Sequence, residues 1–325
     1  MNFLYLLEGI RNPVFNFFFS FITYFGDEIV FLAVSILFFW CVDKKRGYYI
    51  LITGLIGTLI NQTLKLAFKV PRPWVKDPAF TIVENAKEAA AGYSFPSGHT
   101  QNVAGTFGAI GATTASSGVR IFSVAMIALV ALSRMYLGVH TPLDVVVSLL
   151  IAAALLVILY PVFKTDESFK KYMPVVVGVS AALSAAFLAY VLLMPKDGLD
   201  PHNVMSGMKN AATLFGCTAG LVVVYTVDSK YVNFRTDAPW YFQIVKIAVG
   251  FAGVMLIKSG LSSPLVSLFG NEYVARSVRY FLIVLFSGIV WPLTFRYFAT
   301  HRIKKLDDMT YKLVKKLSKN NKNAN

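Results

Sequence analysis

The sequence predicts an all-α, polytopic membrane protein. Apolar residues make up 56% of the chain and charged residues only 15%, with a mean hydropathy of +0.60, which is far from the balance of a soluble domain. Apolar runs close to the ~20 residues that cross a bilayer as a helix follow one another between short polar loops. These runs lack the alternation of a barrel strand, and a bilayer offers the backbone no water, so helices are the expected form.

Taken in order, crossings are expected near residues 11–26, 28–42, 47–66, 99–117, 119–138, 142–163, 173–194, 209–227, 239–257 and 277–299. The first, Pro13 to Gly26, is short and Phe-rich, and its alternative is to lie in the interface. The first six crossings form a core over residues 1–163, four more fill 164–299, and a basic tail occupies 300–325. Ser263-Pro264 reads as a re-entrant element or as an interfacial loop. The longest internal loop runs from Lys69 to Ser97.

Ten crossings put both termini on one face. Asp43-Lys44-Lys45-Arg46, Arg120, Lys164 with Lys170-Lys171, Lys230 with Arg235 and the Lys-rich tail share that face, which is therefore expected to be cytoplasmic. The opposite loops also hold cations, among them Lys69, Lys76, Lys196 and Lys258, so the bias rests on the tail. No removable leader is expected, and with the short loops this fits a bacterial inner membrane with the Lys69–Ser97 loop outside. The net charge of +14 raises nucleic acid as a partner. The basic residues are instead spread over loops and gathered beyond His301, where Ile303, Leu306, Met309, Leu313 and Leu317 recur at helical intervals, as in a helix lying on an anionic membrane surface. A solvated, disordered end is the alternative for that tail. Cys41 and Cys217 imply no disulfide framework.

Three stretches place charges where a membrane protein least tolerates idle ones. They are Lys65-x6-Arg72-Pro73, Pro96-Ser97-Gly98-His99, and Ser133-Arg134-x5-His140-x3-Asp144. In this order and at all eleven fixed positions they resemble the three signatures of the type 2 phosphatidic acid phosphatase superfamily, over roughly residues 11–163. The resemblance implies a six-helix core and a metal-independent phosphatase without cofactor. It also implies that His140 attacks phosphorus to form a phosphohistidine.

The residue types suit that chemistry. Phosphate oxygens repel a nucleophile, so the reaction needs positive charge on them, which Lys65, Arg72 and Arg134 can supply, the arginines as planar forks. Ser97 and Gly98 stand where the long loop enters a helix, and Gly lets backbone N–H groups approach an anion. Asp144, four residues after His140 and just past a Thr141-Pro142 helix start, can hold the imidazole N–H and free the other nitrogen. His99 has the complementary task of giving a proton to the leaving oxygen. No metal-ligand spacing is present.

Asn61, Gln62, Trp74 and Tyr93 lie near these motifs and either line the pocket or mark the interface. Tyr136 and Gly138 read as packing residues. His202, Glu272, Arg276 and Arg279 are candidates for head-group recognition, or solvated loop charges. The expected substrate is a lipid phosphate or diphosphate of the undecaprenyl or phosphatidate type. Alternatives are a soluble phosphate ester, transfer of the phosphoryl group to another lipid, and, from a different class, transport or scrambling of lipid by the same cationic pocket.

Overall fold

The computed structural model describes residues 1–88, 90 and 92–311, and among these it is helical with no strand. The helices are α1 (Asn2–Gly9), α2 (Pro13–Thr23), α3 (Glu28–Leu37), α4 (Lys44–Phe68), α5 (Pro73–Lys76), α6 (Asn85–Glu88), α7 (Gly98–Thr113) and α8 (Ser117–Tyr136). They continue as α9 (Pro142–Lys164), α10 (Asp166–Leu193), α11 (Pro201–Val227), α12 (Trp240–Gly260), α13 (Ser262–Phe269), α14 (Glu272–Leu285) and α15 (Phe295–Thr300).

Local chemistry sets where the site-bearing helices begin and end. Asp43 caps α4 by accepting from Arg46 N at 2.8 Å, and the helix closes where Lys69 turns left-handed and donates its N–H to Lys65 O. At about 1.5 Å per residue, α4 carries Lys65 roughly 30 Å from Lys44, one full bilayer away. Ser97 caps α7, Thr141 caps α9 with Pro142 at the first turn, and Asp200 caps α11 ahead of Pro201.

Among the described residues, seven spans are long and apolar enough to cross a membrane: Lys44–Lys76, Ser117–Tyr136, Pro142–Lys164, Asp166–Leu193, Pro201–Val232, Trp240–Gly260 and Glu272–Thr300. The ten separate crossings expected from the sequence need correcting at two places. Segments 11–26 and 28–42 form a single bent pair, Pro13–Gly26 and Glu28–Val42, that meets the criterion only together and turns by 52°. Asp27 causes the break, for its backbone is extended at φ −69 and ψ 148 and its carboxylate reaches sideways to His99. The segment expected at 99–117 is the 16-residue α7, which packs against α3, α4, α8 and α9 and so meets protein on most of its surface.

The added helices form their own bundle against α4. In α11, Gly216 and Gly220 sit one turn apart and admit α14, with a Cβ at Gly216 falling 2.1 Å from the Ser277 carbonyl oxygen. Ser277 Oγ in turn donates to Ala212 O at 2.8 Å. Polar ties join this bundle to the core at the end of α4 remote from Lys65. Lys44 pairs with Asp228 at 2.9 Å, Lys45 with Asp166 at 2.5 Å, and Trp40 Nε1 donates to Ser287 O at 2.8 Å. The fully buried Lys246 donates to Thr236 O at 2.9 Å beneath the Phe295 ring.

Ser263-Pro264 belongs to α13, a surface helix with no buried residue that packs on α14. Residues 304–311 are helical and carry Leu306 and Met309 of the basic tail, with Ile303 just before them; Leu313, Leu317 and the rest of that expected amphipathic segment lie outside the described residues.

The glycine contact gives a direct test of the bundle. Gly216→Ala must separate α11 from α14 backbone to backbone, costing about 1–3 kcal/mol, whereas Gly178→Ala has nothing within 4 Å to meet. Thermal melting in detergent should drop for the first variant only; equal midpoints would mean the helices are not held at that distance.

Candidate active site

Lys65 leaves the last turn of α4 and folds back under the following loop, where its Nζ donates to Tyr93 O at 2.6 Å and to Ser94 O at 3.3 Å. Ser94 N in turn donates to Val70 O at 2.8 Å, closing the loop on itself. Arg72 uses its fork in two directions. Nε donates to Gly92 O, and Nη1 lies 3.0 Å from both Val139 O and His140 Nε2.

His140 is brought there by the short connection from α8 to α9. Val139 N and His140 N both donate to Arg134 O at 3.2 Å, wrapping the chain over the end of α8. The wrap needs Gly138, at φ +83, where a Cβ would fall 2.8 Å from Arg11 Nη2. Arg11 braces the turn from outside, donating to Tyr136 O at 3.0 Å and to Thr81 O at 2.9 Å. On the other side, Thr141 and Asp144 form a capping box that starts α9.

One oxygen, Asp144 Oδ2, serves several partners. It accepts from Thr141 N at 2.8 Å and from Ser94 Oγ at 2.6 Å, and lies 3.4 Å from His140 Nδ1. With the proton assigned to Nδ1 on that carboxylate, the Nε2 lone pair faces Arg72. The backbone of Asp144 fixes α7 as well, since its carbonyl accepts from Ser97 N at 3.1 Å while Ser148 Oγ bridges Asp144 O and Ser97 O, each at 2.9 Å. Ser97 Oγ accepts from Thr100 and so keeps its own hydrogen for another acceptor.

From the first turn of α7, His99 pairs through Nε2 with Asp27 at 2.8 Å. Arg134 reaches across from α8 to Thr23 Oγ1 at 2.6 Å, and its Nε has no hydrogen-bond partner among the described residues. His99, Arg134, Asp27 and Thr23 line a cavity of about 60 Å³. Arg72, Trp74, Tyr93 and His202 line a second, wider opening of about 660 Å³.

Lys65, Arg72 and Arg134 are exposed by only 7%, 6% and 1%. Their direct partners are largely backbone carbonyls and a hydroxyl, and the carboxylates that act on them are Asp144 and Asp27. Three buried cations with mostly neutral partners are strongly unfavourable unless an anion joins them. Burial first, then the charges of Arg72, Lys65, Arg134 and His99, hold His140 well below the usual histidine range, so its imidazole is neutral at pH 7. Among the described residues no group of three or more His, Cys, Asp or Glu side chains is disposed to hold a metal ion.

The other residues singled out in the sequence divide. Trp74 lies 5.9 Å from the Arg72 guanidinium and Tyr93 supplies the carbonyl for Lys65. Asn61 is buried beside Gly98, while Gln62 is half-buried on α4 with no hydrogen bond among the described residues. His202 borders the wider opening. Glu272 pairs with Lys209 at 3.4 Å, Arg276 donates to Thr213 and Arg279 to Ser262, so these three are engaged within the added bundle. Asp27, Ser94, Gln101 and Ser148 were not legible as site residues. Asp27 reads as an ordinary cap before a helix, Ser94 and Ser148 are single polar residues with partners about fifty positions along the chain, and Gln101 has no hydrogen-bond partner among the described residues.

The fold and the site define an all-helical membrane protein in which buried cations surround a neutral histidine. Two family models match it, "PAP2 superfamily" over residues 46–168 and "PAP2 superfamily phosphatase, transmembrane extension" over residues 209–302. The chain carries a PAP2 superfamily domain followed by that transmembrane extension. It is similar to sphingosine-1-phosphate phosphatase 2 of Homo sapiens, 30% identical over 162 residues that make up 47% of this chain and 39% of the human protein. It is also similar to the undecaprenyl-diphosphatase BcrC of Bacillus subtilis (strain 168), 28% identical over 177 residues, 53% of this chain and 86% of that protein. A third relative is the undecaprenyl-diphosphatase of Sulfolobus acidocaldarius, 28% identical over 136 residues, 41% of this chain and 63% of the other. The chain thus spans well under half the length of the human relative. No solved structure matches it.

The depressed His140 pKa has a consequence for stability. Below the ordinary value of about 6.5 the unfolded chain takes up a proton that the folded chain refuses, so stability is full above that pH and declines as pH falls through it, by up to ~1.4 kcal/mol per unit. The melting midpoint should therefore fall more steeply between about pH 7 and about pH 5 for the unaltered protein than for His140→Asn. Parallel profiles would show that His140 titrates normally.

Proposed function

We propose that the protein is a membrane phosphatase that hydrolyses a lipid phosphate or diphosphate through a phosphohistidine at His140. One observation carries this reading: a buried neutral imidazole has Nδ1 on Asp144 and Nε2 against Arg72, with Lys65 and Arg134 acting on the same ring. Transport of lipid needs cations but gives no reason for an oriented nucleophile.

In this mechanism the phosphoryl oxygens draw Arg72 Nη1 away from Nε2, while Lys65, Arg134 and the N–H groups at the start of α7 take up their charge. The Nε2 lone pair attacks phosphorus in line, and the bond from phosphorus to the lipid oxygen breaks. His99 protonates that departing oxygen, and Asp27 stabilises the imidazolium that carries the proton. Water then attacks the phosphohistidine and His99 accepts its proton, releasing phosphate and restoring Nε2.

The lipid character follows from place and kinship. The cluster stands at a membrane boundary, at the end of α4 away from Lys44-Lys45-Arg46, and we assign it to the non-cytoplasmic face. The relatives are named for a sphingoid monophosphate and for an isoprenoid diphosphate, so both ester classes belong in the assay.

Purified protein in detergent, without added divalent metal, should release phosphate from undecaprenyl diphosphate, phosphatidate or sphingosine-1-phosphate in preference to glucose-6-phosphate. His140→Ala should reduce release to background; activity persisting in that variant, or no release from any substrate, overturns the reading. Asp144→Asn should slow turnover roughly 10²- to 10⁴-fold by removing the charge that supports the ring. Arg134→Lys keeps a cation but loses the fork, and a loss of roughly 100-fold is expected. Near-normal turnover in Asp144→Asn would remove Asp144 from the mechanism, and in Arg134→Lys it would mean that Arg134 acts only as a generic cation.

A further inference from the structure

Resting on the reading of His140 as nucleophile, we propose that Asn61 is a further catalytic residue, whose carboxamide donates to a phosphoryl oxygen from beneath the site.

The inference begins with two buried carboxamides that have no use in the fold itself. Asn61 is 1% exposed and Gln101 0%, and among the described residues neither oxygen nor nitrogen of either side chain has a hydrogen-bond partner. An unpaired buried carboxamide has lost its water without a replacement, so two of them are a substantial burden on a helix seam. A seam built for stability alone would place leucines there.

Their position says what they face. Asn61 stands one helical turn before Lys65 on α4, on the same face, and its Oδ1 lies 4.0 Å from where a Gly98 Cβ would be. It therefore abuts the Ser97-Gly98 entrance of α7, whose first N–H groups take up phosphoryl charge in the proposed mechanism. Gln101 is one turn further into α7, and its Nε2 occupies the notch left by Gly57, where a Cβ would come within 2.5 Å. Gly57 in turn lies one turn before Asn61. The two carboxamides thus form a polar layer immediately below the cations, reached from α4 on one side and from α7 on the other.

The chemistry fits a neutral donor. Lys65, Arg72 and Arg134 approach with positive charge; a carboxamide adds a directional N–H without another charge to desolvate. Its oxygen remains free to accept from Gly98 N–H or from Gln101, which would fix which way the nitrogen points. Removing a preorganised donor of this kind from a developing oxyanion costs roughly 10²- to 10³-fold in rate.

The test exploits the opposite signs that function and stability should show. Asn61→Leu and Asn61→Ala would be compared with the unaltered full chain in detergent, measuring kcat/KM for lipid phosphate release and the melting midpoint with and without orthovanadate. The expected result is a loss of roughly 10²- to 10³-fold in kcat/KM, a diminished vanadate stabilisation, and a midpoint without vanadate that is equal to or above that of the unaltered protein. A lowered midpoint with full vanadate stabilisation, failure of both variants to fold, or unchanged kcat/KM would each overturn the assignment. If the unaltered protein neither releases phosphate nor is stabilised by vanadate, the phosphoryl-site reading itself fails, an outcome distinguishable from failure at Asn61 alone.

Discussion

The arrangement hangs on the carboxylate of Asp144. A single oxygen there closes the capping box of α9, receives the Ser94 hydroxyl from the long loop and stands against the His140 ring, so helix start, loop position and imidazole tautomer are settled at one point. The main chain of the same residue holds the Ser97 amide, and through it the beginning of α7. Two stretches some fifty residues apart, around Ser94–Ser97 and His140–Asp144, thus converge because both need acceptors on the same residue. A charged acceptor shared this way is strong and directional, and its burial excludes water from competing for it.

Around that anchor the protein tolerates an electrostatic imbalance that would be unfavourable in an ordinary core. Three cations are withdrawn from water, yet most of their direct partners carry only partial charges. Rigid surroundings keep the imbalance from relaxing. Arg11 pins the turn before His140, and the left-handed Lys69 ends α4 directly after Lys65. The added bundle packs apolar side chains on Leu59 and Leu66 of α4, while its charged ties to that helix, at Lys44 and Lys45, lie a bilayer's thickness from the chemistry.

Much of this was legible in the sequence, because hydropathy and short-range spacing are both local. Each expected crossing is helical, and the Thr141-Pro142 start, the His140–Asp144 juxtaposition and the Ser97 cap are consequences of helix geometry alone. The pairing of segments 11–26 and 28–42 into one bent unit was not legible. Hydropathy counts apolar residues, whereas the bend arises from Asp27 meeting His99, 72 positions away. The same limit hid Ser94 and Ser148. Nor does spacing reveal that Lys65 and Arg72 are held by the carbonyls of residues 92–94 and 139, since no side chain at those positions announces it.

Anchoring by main-chain oxygens has an evolutionary corollary. Every amino acid carries a carbonyl, so a rim position such as Tyr93 can exchange its side chain while the ammonium group it holds stays where it is. Diversification toward new head groups is then confined to residues whose replacement leaves the reactive geometry intact. A scaffold wired in this fashion can change its clientele without rebuilding its engine.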